Sequence, residues 1–315
     1  MAVYVNTNVS SLNGRRYLNN VQTQLTTTYQ RLSSGMRINS AKDDAAGLQI
    51  SSRLTTQING LNQGNRNASD GIALAQTIEG AMDETTSMLQ KIRTLAVQAA
   101  NGTNTAEDRA ALKKEADALG FEITRIARQT KFGGMTVLDG GNDTSIYGKG
   151  AQGNTSKGSL TLQVGANKGD TITFEVHATV MSKLFAGGGG GGGNPAPPAP
   201  PAPPAGGGGT WDKATGFKLA TADDASALIA EIDKVIAKVD GQRADLGAIQ
   251  NRLESSIRNQ ANVSANQADA RSRIRDADFA EESANLSQQS IIQQAATSML
   301  MQANTRPQLG LSLLG

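Results

Sequence analysis

The feature that most restricts how this chain can fold is an apolar seam running through Leu54, Ile58, Leu61, Ala68, Ile72, Ala75, Met82, Leu89 and Ala96. Its steps alternate between four and three, with some positions skipped, which places every member on one helix face and predicts a single helix of about 55 residues. A helix of that length is marginal alone in water and must lie against partners along its whole extent. Its start is expected at Ser40, where Ser40-x-x-Asp43 reads as a capping box and Asp43 and Asp44 suit the positive helix end.

The rest of the chain repeats the theme. Leu18, Val21, Leu25, Tyr29 and Leu32 mark an earlier helix that stops at Ser34-Gly35. Thr105-x-x-Asp108 opens another, which carries Leu112, Ala116, Leu119, Ile123 and Ile126 and turns back at Asn101-Gly102 to lie beside the long one. Leu160, Leu162 and Val164, then Ile172, Phe174 and Val176, alternate with polar residues around a GANKGD turn and predict a β-hairpin. Thr221-x-x-Asp224 starts a second long helix through Leu228, Ile232, Val235, Val239, Leu246, Ile249 and Leu253, weakened at Gly241 and Gly247. A last one carries Phe279, Leu286, Ile291, Ile292, Met299 and Leu300 and is expected to end near Pro307. With 38% hydrophobic but only 3% aromatic residues, the chain suits slender helices packed along seams. The fold expected is mainly α, an elongated helical bundle and coiled coil with a small β-hairpin region.

One segment breaks the pattern. Between Gly187 and Gly209 two glycine runs flank NPAPPAPPAPPA, which holds seven of the eight prolines. The proline run predicts a polyproline II rod of roughly 34 Å at ~3.1 Å per residue, a spacer between flexible joints. The terminal helices have apolar seams but no evident private partner, and are expected to order only when neighbours cover them.

Catalytic chemistry is hard to place. The lone histidine, His177, alternates within the second hairpin strand, so neither a two-histidine zinc site nor a Ser-His relay can be built. With no cysteine, thiol catalysis and disulfides are excluded. Asp276, Asp278, Glu281 and Glu282 read as a helix-start cluster rather than a cation site. A net charge of +2, with Lys113, Lys114, Arg271, Arg273 and Arg275 among acids and no stacking aromatics, argues against nucleic acid as a partner. No apolar stretch reaches the ~20 residues of a membrane span, so no membrane insertion is expected, and the first residues lack the pattern of a secretory signal. No cofactor and no enzymatic activity are expected.

At Leu32 to Ile50 the chain reads LSSGMRINSAKDDAAGLQI, and further on RADLGAIQNRLESS, SRIRDADFAEES and QANTRPQLGLSLL. These long, ordered motifs resemble those of bacterial flagellins over about residues 1–180 and 210–315; the glycine and proline spacer stands where flagellins usually carry outer domains. The resemblance implies a structural subunit of the extracellular flagellar filament, a helical homopolymer for swimming, exported by the flagellum's own secretion apparatus with the help of a chaperone and a distal cap. Alternatives are a hook-to-filament junction protein or a secreted coiled-coil adhesin. It further implies that 1–39 and 271–315 form an inner coiled coil, with Leu18, Val21, Leu25, Leu286, Ile291 and Ile292 serving self-assembly. Residues 40–180 and 210–270 would form a surrounding helical layer, and 187–209 the linker replacing the outer domain. It also implies a contact with a host Toll-like receptor through Gln90, Lys91, Arg93, Leu95 and Glu115, with Leu95 as an exposed apolar anchor.

Overall fold

Helices dominate the computed structural model, which describes residues 7–140, 144–147, 157–185, 210–212 and 215–312. They are α1 (Val9–Ser34), α2 (Ala45–Ala99), α3 (Ala106–Gln129), the single turn α4 (Met181–Leu184), α5 (Ala222–Arg275) and α6 (Phe279–Ser312). Three antiparallel strand pairs accompany them: β1 (Lys131–Phe132) with β2 (Met135–Thr136), β3 (Lys157–Gln163) with β4 (Thr171–His177), and β5 (Trp211–Asp212) with β6 (Gly216–Phe217). The spacer expected at 187–209 lies outside the described residues.

The helix ends follow from local chemistry, with two corrections. Thr105 and Asp108 form the expected reciprocal box at α3, and Thr221 and Asp224 do the same at α5, with each side chain accepting the other's backbone N–H. Gly35 closes α1 at a φ of 69°, a left-handed conformation suited to a residue without Cβ. Ser40 does not cap α2. The Asp43 carboxylate instead accepts the backbone N–H groups of Ser40 and Asn39 and the Ser40 hydroxyl, closing a turn of its own. Those hydrogen bonds hold the Asp43 carboxyl below its ordinary value, the backbone donor of Ser40 foremost. With Ser40 so occupied, α2 begins at Ala45 and Asp44 accepts the N–H of Gly47. The second correction is that α6 does not stop near Pro307 but continues to Ser312.

The contacts of the chain divide it into two compact units, residues 60–261 and residues 1–59 with 262–315. In the first, α2 and α5 run antiparallel, tied by Arg93–Asp233, Arg243–Asp83 and Gln250–Glu79. Ala68, Ala75, Met82, Leu89 and Ala96 of α2 are buried, as are all seven expected seam residues of α5, and both join Ala116 and Ile123 of α3 in one core. A repeated three-four step thus converts directly into one contiguous apolar interior.

The long hairpin pairs Leu160 with Phe174 and Leu162 with Ile172, which puts one apolar face toward the helices. It rests on a glycine face of α2. A Cβ at Gly60 would come within 2.8 Å of the Ala166 side chain, one at Gly64 would overlap the carbonyl oxygen of Val164, and one at Gly71 would overlap Leu162. Close backbone approach is the reason for glycine here, and it lets the Nε2 of Gln260 donate to the Val164 carbonyl and Asn67 Nδ2 to the Gln163 carbonyl at 2.8 Å. The shorter pairs were not anticipated. β1 and β2 turn through Gly133 and Gly134 at φ 58° and 86°, a turn that only residues tolerant of positive φ adopt readily. β5 and β6 bring Trp211 and Phe217 edge-on at 4.6 Å.

Gly64→Ala is expected to lower the stability of the monomer by about 1–3 kcal/mol, because the clash is with backbone that cannot rotate away. Thermal unfolding checks it: an unchanged melting temperature would show that the hairpin does not need the glycine face.

Candidate functional site

The unit formed by residues 1–59 and 262–315 is built on the pair α1 and α6, which run antiparallel. Where α1 ends and α6 begins, the pair is clasped by main-chain bonds. The N–H of Arg37 donates to the carbonyl of Arg275 at 2.7 Å and that of Ala277 to the carbonyl of Gly35 at 3.0 Å. Arg37 Nη2 adds a bond to the carbonyl of Ile274, and Ile38 beside it is buried. The expectation that the terminal helices have no private partner is therefore corrected: each is the other's partner. Local sequence shows a seam but not which segment covers it.

Inside the pair, Val21 is buried and Leu18, Leu25, Leu286 and Ile292 are half-buried. Tyr29 is exposed, and Thr28, in phase with Val21, Leu25 and Leu32, takes its place in the seam. Thr28 donates its hydroxyl to Gln289 Oε1 at 3.1 Å. One turn on, Arg31 Nη1 meets Glu282 Oε1 at 3.1 Å, with the Glu282 side chain only 9% exposed. Sequence reasoning placed Glu282 in a helix-start cluster; Asp278 does that work, accepting the N–H of Ala280 at 2.8 Å, while Glu282 points into the pair. The signal that could have found this polar layer is the phase of Thr28 with the seam and of Glu282 with Leu286 and Gln289.

Several large apolar side chains are exposed on both helices. Phe279, Ile291, Met299 and Met301 are between 61% and 69% exposed, and Val9, Leu12, Tyr17 and Tyr29 on α1 between 50% and 56%. Ile291, expected in the seam, thus faces away from α1. A groove of about 870 Å³ runs between Ser10, Asn13, Gly14 and Tyr17 on one side and Ala296, Met299, Gln302 and Ala303 on the other. Exposed apolar side chains beside such a groove fit burial by other protein surfaces. Among the described residues, no group of three or more His, Cys, Asp or Glu could hold a metal ion, and no helix is long and apolar enough to cross a membrane.

The segment Gln90 to Val97 lies in the other unit, on α2. Gln90, Lys91 and Arg93 are exposed, as is Glu115 on α3. Arg93 is engaged by Asp233, with Nε to Oδ1 at 2.6 Å and Nη2 to Oδ2 at 3.3 Å. That bond holds the Asp233 carboxyl below its ordinary value, so the pair forms above the ordinary carboxylate range and is lost only as pH falls through the lowered value. Leu95 is not the exposed residue expected. It is half-buried against the core, because its position on α2 falls beside the seam residues Ile92, Ala96 and Ala99, and Val97 is the exposed apolar side chain of the segment.

Comparison with known proteins bears on both ends. Residues 5–143 match the bacterial flagellin N-terminal helical region and residues 229–314 the bacterial flagellin C-terminal helical region. Flagellin A of Vibrio anguillarum is 39% identical over 378 aligned residues, and polar flagellin B/D of Vibrio parahaemolyticus is 37% identical, with all of this chain and all of each relative covered. The alignment is longer than the 315 residues here, so the relatives carry residues this chain lacks. Among solved structures, a putative flagellar hook-associated protein from Vibrio parahaemolyticus superposes with a TM-score of 0.53 over 74% of this chain and 100% of that one, at 16% identity, a likeness of fold.

Glu282→Ala strands a partly buried guanidinium whose Nε already lacks a partner, and is expected to cost the α1 and α6 pair about 1–2 kcal/mol, discounted for the one-third exposure of Arg31. Hydrogen exchange of the α1 and α6 amides reads it directly. Undiminished protection would mean the ion pair contributes nothing.

Proposed function

The chain belongs to the bacterial flagellin family, and we propose that the outer face of its α1 and α6 pair is the surface through which copies of the chain join one another. It is a structural subunit of the flagellar filament, an extracellular homopolymer that serves swimming motility, and it is not an enzyme. The observation that carries the surface is that Phe279, Ile291, Met299 and Met301 are more than half exposed on helices that already have each other as partners. Leu18, Val21, Leu25, Leu286 and Ile292 act one step earlier, by holding the pair together. Residues 1–39 with 271–315 are taken as the assembly region and 40–180 with 210–270 as the helical layer; the 187–209 spacer lies outside the described residues. Before assembly the apolar terminal face is the natural site for an export chaperone, and a distal cap would shelter it during folding.

In the unit at residues 60–261, Gln90, Lys91, Arg93 and Glu115 are open to a partner, which supports the reading that α2 and α3 display a receptor-binding surface to a host Toll-like receptor. Lys91 supplies a compact cation rather than a planar fork, and Arg93 would have to leave or share Asp233.

Ile291→Asp is expected to leave the helical content of the monomer unchanged and to raise the critical concentration for seeded elongation at least about tenfold, the equivalent of ~1.4 kcal/mol. A chain trimmed to residues 40–270 should remain monomeric under the same conditions. Elongation of either variant at the parent's concentration would remove the terminal face from the assembly surface. Because Leu95 supports the core, the receptor surface is tested instead at Lys91→Ala and Glu115→Ala. Each is expected to weaken monomer binding to soluble receptor ectodomain by roughly tenfold, and unchanged affinity for both would leave the segment as packing surface.

A further inference from the structure

We propose that Asn8 and Pro307 are a matched pair that locks the two ends of the chain in register, so that neither terminal helix keeps its outer turn without the other. The inference rests on the reading that the chain polymerises through these helices. Its starting point is the continuation of α6 through Pro307 to Ser312. In an α-helix the N–H of residue 307 would bond the carbonyl of residue 303; proline has no N–H. The Ala303 carbonyl would then be an acceptor without its helical donor.

Asn8 supplies the donor. Its Nδ2 gives a hydrogen bond to the Ala303 carbonyl at 2.8 Å, across a sequence separation of 295 residues. The same side chain is the N-cap of α1, its Oδ1 accepting the N–H of Ser11 at 3.0 Å. One amide therefore repairs an acceptor of α6 and a donor of α1 at once. Next to it the Ser11 hydroxyl donates to Asn304 Oδ1 at 2.7 Å, so two consecutive residues of α6 are held by the first turn of α1. Aspartate or serine would cap α1 equally well. Aspartate has no N–H to give, and the single short hydroxyl of serine cannot reach across while it caps. Asparagine alone among the good caps carries both an acceptor and a donor on one rigid plane.

The consequence is directional. A slip of one residue between α1 and α6 would turn the apolar outer face of one helix by about 100° relative to the other. The Asn8 bond exists in one register only, because Pro307 frees one carbonyl only. The pair thus acts at the tip of the terminal helices as the Arg31–Glu282 pair acts near their base.

The test is a double-mutant cycle on the full chain, read as the critical concentration for seeded elongation. Asn8→Ser keeps the cap and removes the donor. Pro307→Ala restores the backbone N–H that Ala303 would ordinarily receive. Asn8→Ser alone is expected to raise the critical concentration at least about threefold, and the same change in the Pro307→Ala background less than about 1.5-fold, because the acceptor is then satisfied from within α6. If Asn8→Ser abolishes elongation and Pro307→Ala restores it, the pairing is equally supported. Equal effects of Asn8→Ser in both backgrounds, no effect in either, or loss of elongation in both would overturn it. The parent chain is the separate control: its failure to extend seeds would count against the assembly reading and not against the pairing.

Discussion

A helix of more than fifty residues cannot be maintained by its own backbone bonds against fraying, and the covering of its apolar seam is the interaction on which everything else in this protein depends. α2 and α5, at 55 and 54 residues, supply seams to each other and to α3, and the core of the unit at residues 60–261 is the place where those seams meet. Surface ion pairs such as Arg93–Asp233 run along the edge of this contact, where solvent leaves them little weight in stability and some weight in alignment. Gln242 shows how firmly the seam governs: it occupies a buried seam position on α5 although its amide finds no hydrogen-bond partner.

The hairpin and the terminal pair are two answers to the same need. The β3–β4 hairpin covers α2 by bringing backbone against backbone, which requires the glycine face of Gly60, Gly64 and Gly71. The terminal pair covers α1 with α6 side chain to side chain, and inserts a polar layer of Arg31, Glu282, Thr28 and Gln289 among small and aliphatic residues. Apolar contacts slide at low cost, whereas a buried hydrogen bond is either made or lost, so the polar layer discriminates between registers that the seam alone would tolerate.

Assembly then follows from what the terminal pair leaves uncovered. Two helices can bury only the strip along which they touch, which leaves Phe279, Ile291, Met299 and Met301 largely in solvent. A third and fourth helix are what such side chains ordinarily meet. On the assembly surface proposed above, neighbouring copies would offer them, which would make folding of the ends and growth of the polymer parts of one equilibrium.

The sequence by itself determined the periodic and the local. The long seams, the caps at Thr105 and Thr221, the stop at Gly35 and the alternation of the hairpin all repeat or close within a few residues, and chemistry at that range is written in the order of the side chains. The two-residue strands were invisible because they have no period to detect. Only the tertiary structure decided that Thr28 and not Tyr29 lies in the seam of α1 and α6, that Leu95 supports the core, and that α6 survives its proline. Each of these depends on a partner far along the chain, 251 residues away for Arg31 and Glu282 and 295 for Asn8 and Ala303, and a residue's own neighbours carry no information about which distant surface will supply its missing bond.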